Sequence, residues 1–112
     1  MTAITDDDMR HMLSKTRPYS VVVLKRTPER DAPGSDAIVW EHGRRNFELR
    51  AGGALAIVCP VTEPGEVSGF AIFDRPVEEV RNLMAADPAV RAGIFTYEVH
   101  PVRGFPGDRL PA

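Results

Sequence analysis

Four stretches of the chain are nearly continuous in apolar character or alternate between apolar and small polar residues. The clearest is YSVVVLKR, a β-branched run bounded by polar residues, which is the pattern of a buried strand. The others read ALAIVCPV, VSGFAIF and IFTYEVHP, and turn-forming Pro or Gly residues lie close to each of them. We predict strands over residues 19–26, 54–61, 67–73 and 94–101, with the second and third forming a hairpin.

The segment between the first two strands carries apolar residues at helical spacing. On a wheel at 100° per residue, one side holds Val39, Gly43, Asn46 and Phe47, flanked by Trp40, Leu49 and His42, and the opposite side holds Glu41, Arg44, Arg45 and Glu48. Ser35 or Asp36 can cap the start of this helix, and Gly52 suits the left-handed position after its end. We therefore predict an amphipathic helix with His42 and Asn46 leaning inward and with Trp40 and Phe47 in the core.

A second helix is predicted from Pro76, because proline is tolerated in a first turn and Val77, Val80, Leu83 and Met84 follow at helical spacing. It ends near Asp87, since the residue before Pro88 is disfavoured in the helical region. Residues 1–17 are expected to form a short helical extension with an acidic first turn. Residues 103–112 form a tail rich in Pro and Gly.

The order strand, helix, strand, strand, helix, strand predicts an α+β fold of the ferredoxin-like βαββαβ type. Its four-stranded antiparallel sheet carries both helices on one face. The strands are apolar enough that the other face also needs a cover. A second copy of the chain is the simplest cover, so we expect a homodimer whose sheets face each other as a dimeric α+β barrel. At 112 residues the chain is expected to be one domain, 1–112.

Composition narrows the function classes without naming one. Fourteen basic and sixteen acidic residues give a formal charge of −2, so the sequence favours neither a nucleic-acid partner nor an anionic membrane surface. Its apolar runs are shorter than the ~20 residues of a membrane-spanning helix. A single cysteine, Cys59, and an acidic amino-terminal segment indicate a cytoplasmic protein.

Several side chains are candidates for chemistry. His42 is placed where an imidazole is partly desolvated, and imidazole exchanges protons near neutral pH, although a structural histidine is an equally good interpretation of the residues alone. Cys59 is better interpreted as a small packed side chain than as a nucleophile. His11 and His100 have no metal-ligand spacing with His42, so we expect no metal site.

The segments YSVVVLKR, the helix with His42, ALAIVCP and DPAVRAGIFTYEVHPV together resemble the YCII-related family, within the larger dimeric α+β barrel superfamily. The resemblance covers roughly residues 19–102. It implies a small dimeric ferredoxin-like fold and a site formed by a histidine of the first helix and the aspartate of an Asp-Pro pair. Those positions are His42 and Asp87 in this chain. Cys59-Pro60 stands where Gly-Pro is common in the family.

An aspartate bonded to His42 would fix the tautomer of the ring and raise its basicity. Asp87 has a second interpretation as the cap of a turn that begins at Pro88, and the two roles are compatible. Arg44 and Arg45 are most simply a solvated helix face, although an anionic substrate at the mouth of a cleft could use one of them.

Two functions remain open. In the first, the chain is an enzyme without cofactor, a lyase or isomerase, in which His42 and Asp87 move a proton on a small organic molecule and Asn46 and Arg45 contact the substrate. In the second, the same barrel is a non-catalytic module that binds a small ligand. The distance between His42 and Asp87 is the observation that bears most directly on the choice.

Overall fold

The computed structural model describes residues 2–112 and contains one sheet and four α-helices. The helices are α1 (Asp6–Ser14), α2 (Ser35–Ala51), α3 (Val77–Ala85) and α4 (Pro88–Arg91). The strands are β1 (Arg17–Arg26), β2 (Leu55–Pro60), β3 (Val67–Phe73) and β4 (Phe95–Gly104), and a short 3₁₀ helix spans Pro28–Asp31. The predicted strands all form, with ends that differ by up to three residues.

The four strands are antiparallel in the order β2-β3-β1-β4. β1 and β3 are the central strands, and β2 and β3 form the predicted hairpin. The α+β fold with the ferredoxin-like order of elements is therefore confirmed. Pro18, inside β1, is accommodated because at this end the strand pairs only with β4, which leaves its other edge free.

Alternation along the strands divides the sheet into two unlike faces. Ser20, Val22 and Leu24 of β1 are buried, and Val22 and Leu24 pack with Val80 and Met84 of α3. The full buried core comprises Val22, Leu24, Leu55, Phe73, Val80, Met84, Ala89, Ile94, Phe95 and Val99. This face therefore carries the helices and holds the hydrophobic core.

The opposite face carries apolar residues that take no part in that core. The pairing register places Val21 opposite Ile72, and Ile72 opposite Ile57, on the side away from Val22. These side chains are only half-buried. We call this surface, defined by Val21, Val23, Ile57 and Ile72, the open sheet face.

The ends of α2 differ from the predicted caps. Gly34, with φ of 85°, occupies the position before the helix, whereas Ser35 is already helical and bonds back to Arg30. At the other end Gly52 keeps a right-handed φ of −81°, and Gly53 takes the left-handed φ of 87°. The prediction was off by one or two residues at the start, and by one residue at the end, where either glycine permits the left-handed turn.

The prediction that Trp40 and Phe47 lie in the core is wrong. Trp40 is 71% exposed and Phe47 is 61% exposed. The packed face of α2 is instead formed by Ile38, Val39, His42 and Leu49. The wheel placed the centre of the apolar side about one residue, or about 100° around the helix axis, away from the packed face. It did so because it gave the large aromatic residues more weight than a histidine.

α1 lies apart from the core. It begins with a reciprocal cap in which Thr5 and Asp8 each accept the other's backbone N–H, and it buries none of its residues. The radius of gyration is 16.5 Å, against about 13 Å for a compact chain of this length.

Among residues 2–112, none of the helices combines the length and the apolar character that a membrane-spanning helix requires.

Candidate functional site

His42 and Asp87 are in direct contact although 45 residues separate them in sequence. The Nδ1 atom of His42 lies 2.8 Å from Oδ1 of Asp87. α2 supplies the imidazole, and the junction between α3 and α4 supplies the carboxylate. Asp87 is 1% exposed and His42 is 8% exposed, so the contact is shielded from water.

The second oxygen of Asp87 holds the local backbone. Oδ2 accepts the N–H groups of Ala89 at 2.9 Å and Val90 at 3.2 Å, which makes Asp87 the cap of α4. Pro88 occupies the first helical position, where no N–H is needed. Because the cap fixes the side-chain rotamer, Oδ1 is left aimed at His42. The predicted cap is therefore confirmed, and the same side chain contacts His42.

The surroundings of Asp87 favour its ionised form. Burial raises the pKa of this carboxyl, but the hydrogen bond and charge of His42 and the N–H groups of Val90 and Ala89 together outweigh burial. The net pKa of Asp87 lies below its ordinary value of 3.8. An ionised carboxylate can only accept, so Nδ1 of His42 must carry the proton of the shared bond.

The other nitrogen of His42 is turned toward Asn46 one helical turn away. Nδ2 of Asn46 lies 3.3 Å from Nε2 of His42. The Phe95 ring packs beside the imidazole, with ring centroids 5.2 Å apart and planes tilted by 59°. With the proton on Nδ1, the Nε2 lone pair is free to accept from Asn46 or from a bound molecule.

Arg45 does not lie on the solvated side of α2, where the wheel placed it. Its side chain is 23% exposed, and Nη1 lies 3.8 Å from Oδ1 of Asp87. This Nη1 atom is buried and has no hydrogen-bond partner among residues 2–112. Arg44 is exposed and pairs with Glu41, as a solvated helix residue does.

A cavity of about 580 Å³ opens between α2 and the sheet. His42 and Asn46 line it, whereas Asp87 and Arg45 do not, so the carboxylate stands behind the imidazole as seen from the cavity. Most of the wall is apolar, with Val22, Leu24, Val39, Phe47, Val58, Phe73, Met84 and Phe95 among its residues. Such a wall suits the body of a small organic molecule, and the imidazole supplies a convergent polar group.

Most wall residues were not singled out for the site by the sequence, and three of them bear on its chemistry. Phe95 lies at the start of β4, Arg50 in the last turn of α2, and Arg109 in the carboxyl-terminal tail. Phe95 has no sequence signal beyond its place in a strand. The tail residues were interpreted only as a Pro/Gly-rich end, and nothing local shows that they return to α2. Cys59 also lines the cavity.

The arrangement is suited to moving a proton. Asp87 fixes the tautomer and orientation of His42, and the contact between the two side chains is shielded from water. Residues 2–112 contain no group of three or more His, Cys, Asp or Glu side chains that could hold a metal ion.

Comparison with known proteins shows a likeness to a solved structure and no match in sequence. No protein-family model matches the chain, and no curated protein matches it in sequence. A solved structure of 5-chloro-2-hydroxyhydroquinone dehydrochlorinase (TftG) from Burkholderia phenoliruptrix AC1100, in complex with 2,5-dihydroxybenzoquinone, is similar with a TM-score of 0.52 and 17% identity. The match covers 73% of this chain and 90% of that chain. At this identity the likeness shows a shared fold.

Proposed function

We propose that this protein is an enzyme without cofactor that uses His42 and Asp87 for acid–base chemistry on a small organic molecule. The observation that carries the proposal is the 2.8 Å contact between a buried carboxylate and an imidazole on the wall of a cavity. A structural histidine has no need of an adjacent open cavity. General acid–base catalysis needs both the oriented imidazole and the space for a substrate beside it.

The reaction class is an isomerisation or an elimination. Nε2 of His42 takes a proton from the substrate, and the imidazolium formed is stabilised by the ionised Asp87 at Nδ1. In an isomerisation the same proton returns at another atom of the substrate. In an elimination the electron pair of the broken bond to hydrogen forms a double bond while a leaving group departs, and the proton is later released to solvent.

The structural neighbour is named as a dehydrochlorinase and holds a dihydroxybenzoquinone. Its name favours elimination on a cyclic substrate for this chain also. Together with the sequence resemblance it supports membership of the YCII-related family, with residues 1–112 as one domain. The expected extension, 1–17, and tail, 103–112, overlap the ends of the sheet, because Arg17 belongs to β1 and residues 103–104 belong to β4. A cytoplasmic location belongs to the same proposal.

Asn46 and Arg45 have unequal support as substrate-binding residues. Asn46 lines the cavity within reach of Nε2 of His42, where its amide can hold a polar group of the substrate. Arg45 lies outside the cavity wall, with a buried Nη1 that lacks a hydrogen-bond partner among residues 2–112. A substrate contact for Arg45 therefore requires a movement of its side chain toward the cavity.

The open sheet face supports a homodimer. The accessible surface of 7872 Å² exceeds the about 6,100 Å² expected of a monomeric protein of this mass. The difference of about 1,800 Å² is about twice the ~800 Å² that each partner buries in a standard interface and falls in the range of obligate homodimers, although α1 also contributes to it. Pairing two open sheet faces would bury their apolar residues and complete the expected α+β barrel.

The test begins with a panel of hydroxylated and halogenated ring compounds. Conversion of each compound is measured by its change in absorbance and by the release of halide. We expect His42→Ala to lower kcat on any active compound by about 10²–10⁴-fold while ligand binding and assembly persist. His11→Ala is the matched control, because His11 lies on α1, which buries nothing. Equal turnover by wild type and His42→Ala would refute the proposal.

A non-catalytic binding module is the second candidate, and the largely apolar wall of the cavity favours it. In that case affinity follows the volume and apolar lining of the cavity. His42→Ala would then leave the affinity for such ligands nearly unchanged, and no compound of the panel would be converted.

A further inference from the structure

The cavity wall has an unbalanced set of charges. Among residues 2–112, the permanently charged side chains of this wall are Arg50 and Arg109, and no Asp or Glu lines it. Arg50 belongs to the last turn of α2, and Arg109 reaches the cavity from the tail that follows β4. Both arginines are exposed, so they stand where the cavity meets solvent.

These two arginines also differ from most others in having no acidic partner within the part of the chain that the structure describes. Ion pairs within 4.0 Å engage Arg10, Arg17, Arg26, Arg30, Arg44, Arg45, Arg75 and Arg81. Within residues 2–112, neither Arg50 nor Arg109 has such a pair or a side-chain hydrogen bond. Arg91 and Arg103 are also unpaired in the described chain but lie away from the cavity wall.

Two free guanidinium groups at the mouth of an apolar cavity create a positive potential that its low-dielectric walls strengthen. A guanidinium binds a carboxylate through two parallel hydrogen bonds, which gives geometric selectivity as well as attraction. The apolar wall meanwhile accepts a hydrocarbon body. The combination matches a molecule that is apolar at one end and anionic at the other.

We propose that Arg50 and Arg109 form an anion-recognition pair, and that the site takes small ring compounds bearing a carboxylate. The anion-recognition pair adds a substrate class to the proposed function, and it rests on that function only in assigning the substrate to the same cavity. The carboxylate binds at the rim, and the ring lies along the wall with a reacting atom toward His42. The tail thereby contributes a specificity-determining residue to a site built by α2 and the sheet.

The test compares 2-naphthoate with its neutral isostere 2-naphthamide by isothermal titration calorimetry at low ionic strength. We expect wild type to bind the anion about tenfold or more tightly than the amide, because only the anion gains charge-assisted hydrogen bonds. The double variant Arg50→Gln/Arg109→Gln should bring the ratio of the two affinities close to one. Circular dichroism checks that this variant is folded.

Arg91→Gln/Arg103→Gln is the matched control, since it removes the same net charge away from the cavity. It should leave the ratio of affinities unchanged. The proposal would be overturned by any of three outcomes. These are equal affinities of wild type for the two compounds, no binding of 2-naphthoate at millimolar concentration, and an equal decrease of the affinity ratio in both double variants. His42→Ala should keep the ratio, so a failure of acid–base catalysis is seen separately from a failure of anion recognition.

Discussion

The two oxygens of Asp87 serve different parts of the chain, and the neutral amide of an asparagine at this position has only one oxygen with which to accept. Oδ2 caps α4, while Oδ1 accepts from His42. In Asp87→Asn the single carbonyl oxygen can keep the cap and place the amide N–H₂ against Nδ1 of His42. The imidazole must then carry its proton on Nε2, the atom that faces the cavity.

We therefore expect Asp87→Asn to keep the fold and to lower kcat by about 10²–10⁴-fold, because Nε2 can no longer accept a proton. Asp87→Ala loses the cap as well and leaves a buried Nδ1–H unpaired, at a cost of roughly 2–4 kcal/mol in the free energy of unfolding. Nitrogen chemical shifts of the imidazole report the tautomer, and urea denaturation reports stability. A proton retained on Nδ1 in Asp87→Asn would contradict this account.

The lowered pKa of Asp87 also predicts the pH dependence of stability. A carboxyl whose folded pKa lies below its unfolded value stabilises the protein above the unfolded pKa of about 3.9. That stabilisation is lost as pH falls through the folded pKa. The free energy of unfolding of wild type should therefore drop more between pH 6 and pH 3 than that of Asp87→Asn. Asp7→Asn, at an exposed position, should follow wild type.

At the scale of the elements, the two glycines that end α2 offer a matched pair of substitutions. Gly53 has φ of 87°, so alanine there should cost about 1–2 kcal/mol of stability. Gly52 has φ of −81°, and an added Cβ would meet its nearest atom, the carbonyl oxygen of Glu48, at 3.5 Å, an ordinary contact. Gly52→Ala should be neutral or stabilising by up to about 1 kcal/mol. Equal losses of stability in Gly52→Ala and Gly53→Ala, measured by thermal melts, would contradict the assignment of the left-handed position to Gly53.

The elements of this fold were largely predictable, and their exact ends were not. β-branched runs specify β1 and β3 because the pattern depends on a few adjacent residues. The glycine that ends α2 was displaced by one position because both glycines permit the turn, and the packing of the helix decides between them. Trp40 was misplaced for a similar reason, since residue size indicates burial only when a neighbouring element is present to receive the side chain.

At the scale of the molecule, the site could be predicted in part only. The resemblance named His42 and Asp87 as a pair without their distance, and the structure places them 2.8 Å apart. The position of Arg109 in the cavity wall could not be foreseen, because it depends on the path of a tail whose Pro and Gly residues specify turns but no destination. The position of a tail residue beside a distant helix is determined by the packing of the whole chain and cannot be inferred from the residues next to it in sequence.

The proposed dimer predicts the effect of a charge on the open sheet face. Val21→Lys should yield a folded monomer, because a lysine is tolerated on a solvated face and excluded from an apolar interface. Trp40→Lys is the control, since Trp40 is exposed on α2, on the other side of the sheet. Light scattering after size exclusion measures the mass. Dimers of unchanged stability in Val21→Lys would exclude this face as the interface.

The exposed position of Trp40 also determines what optical spectroscopy can observe in this protein. It is the single tryptophan of the chain, and an indole in water emits similarly whether the chain is folded or not. Intrinsic fluorescence is consequently a weak reporter of unfolding. The same indole is a sensitive reporter of any molecule that comes to rest on the outer surface of α2, where a blue shift would mark its removal from water.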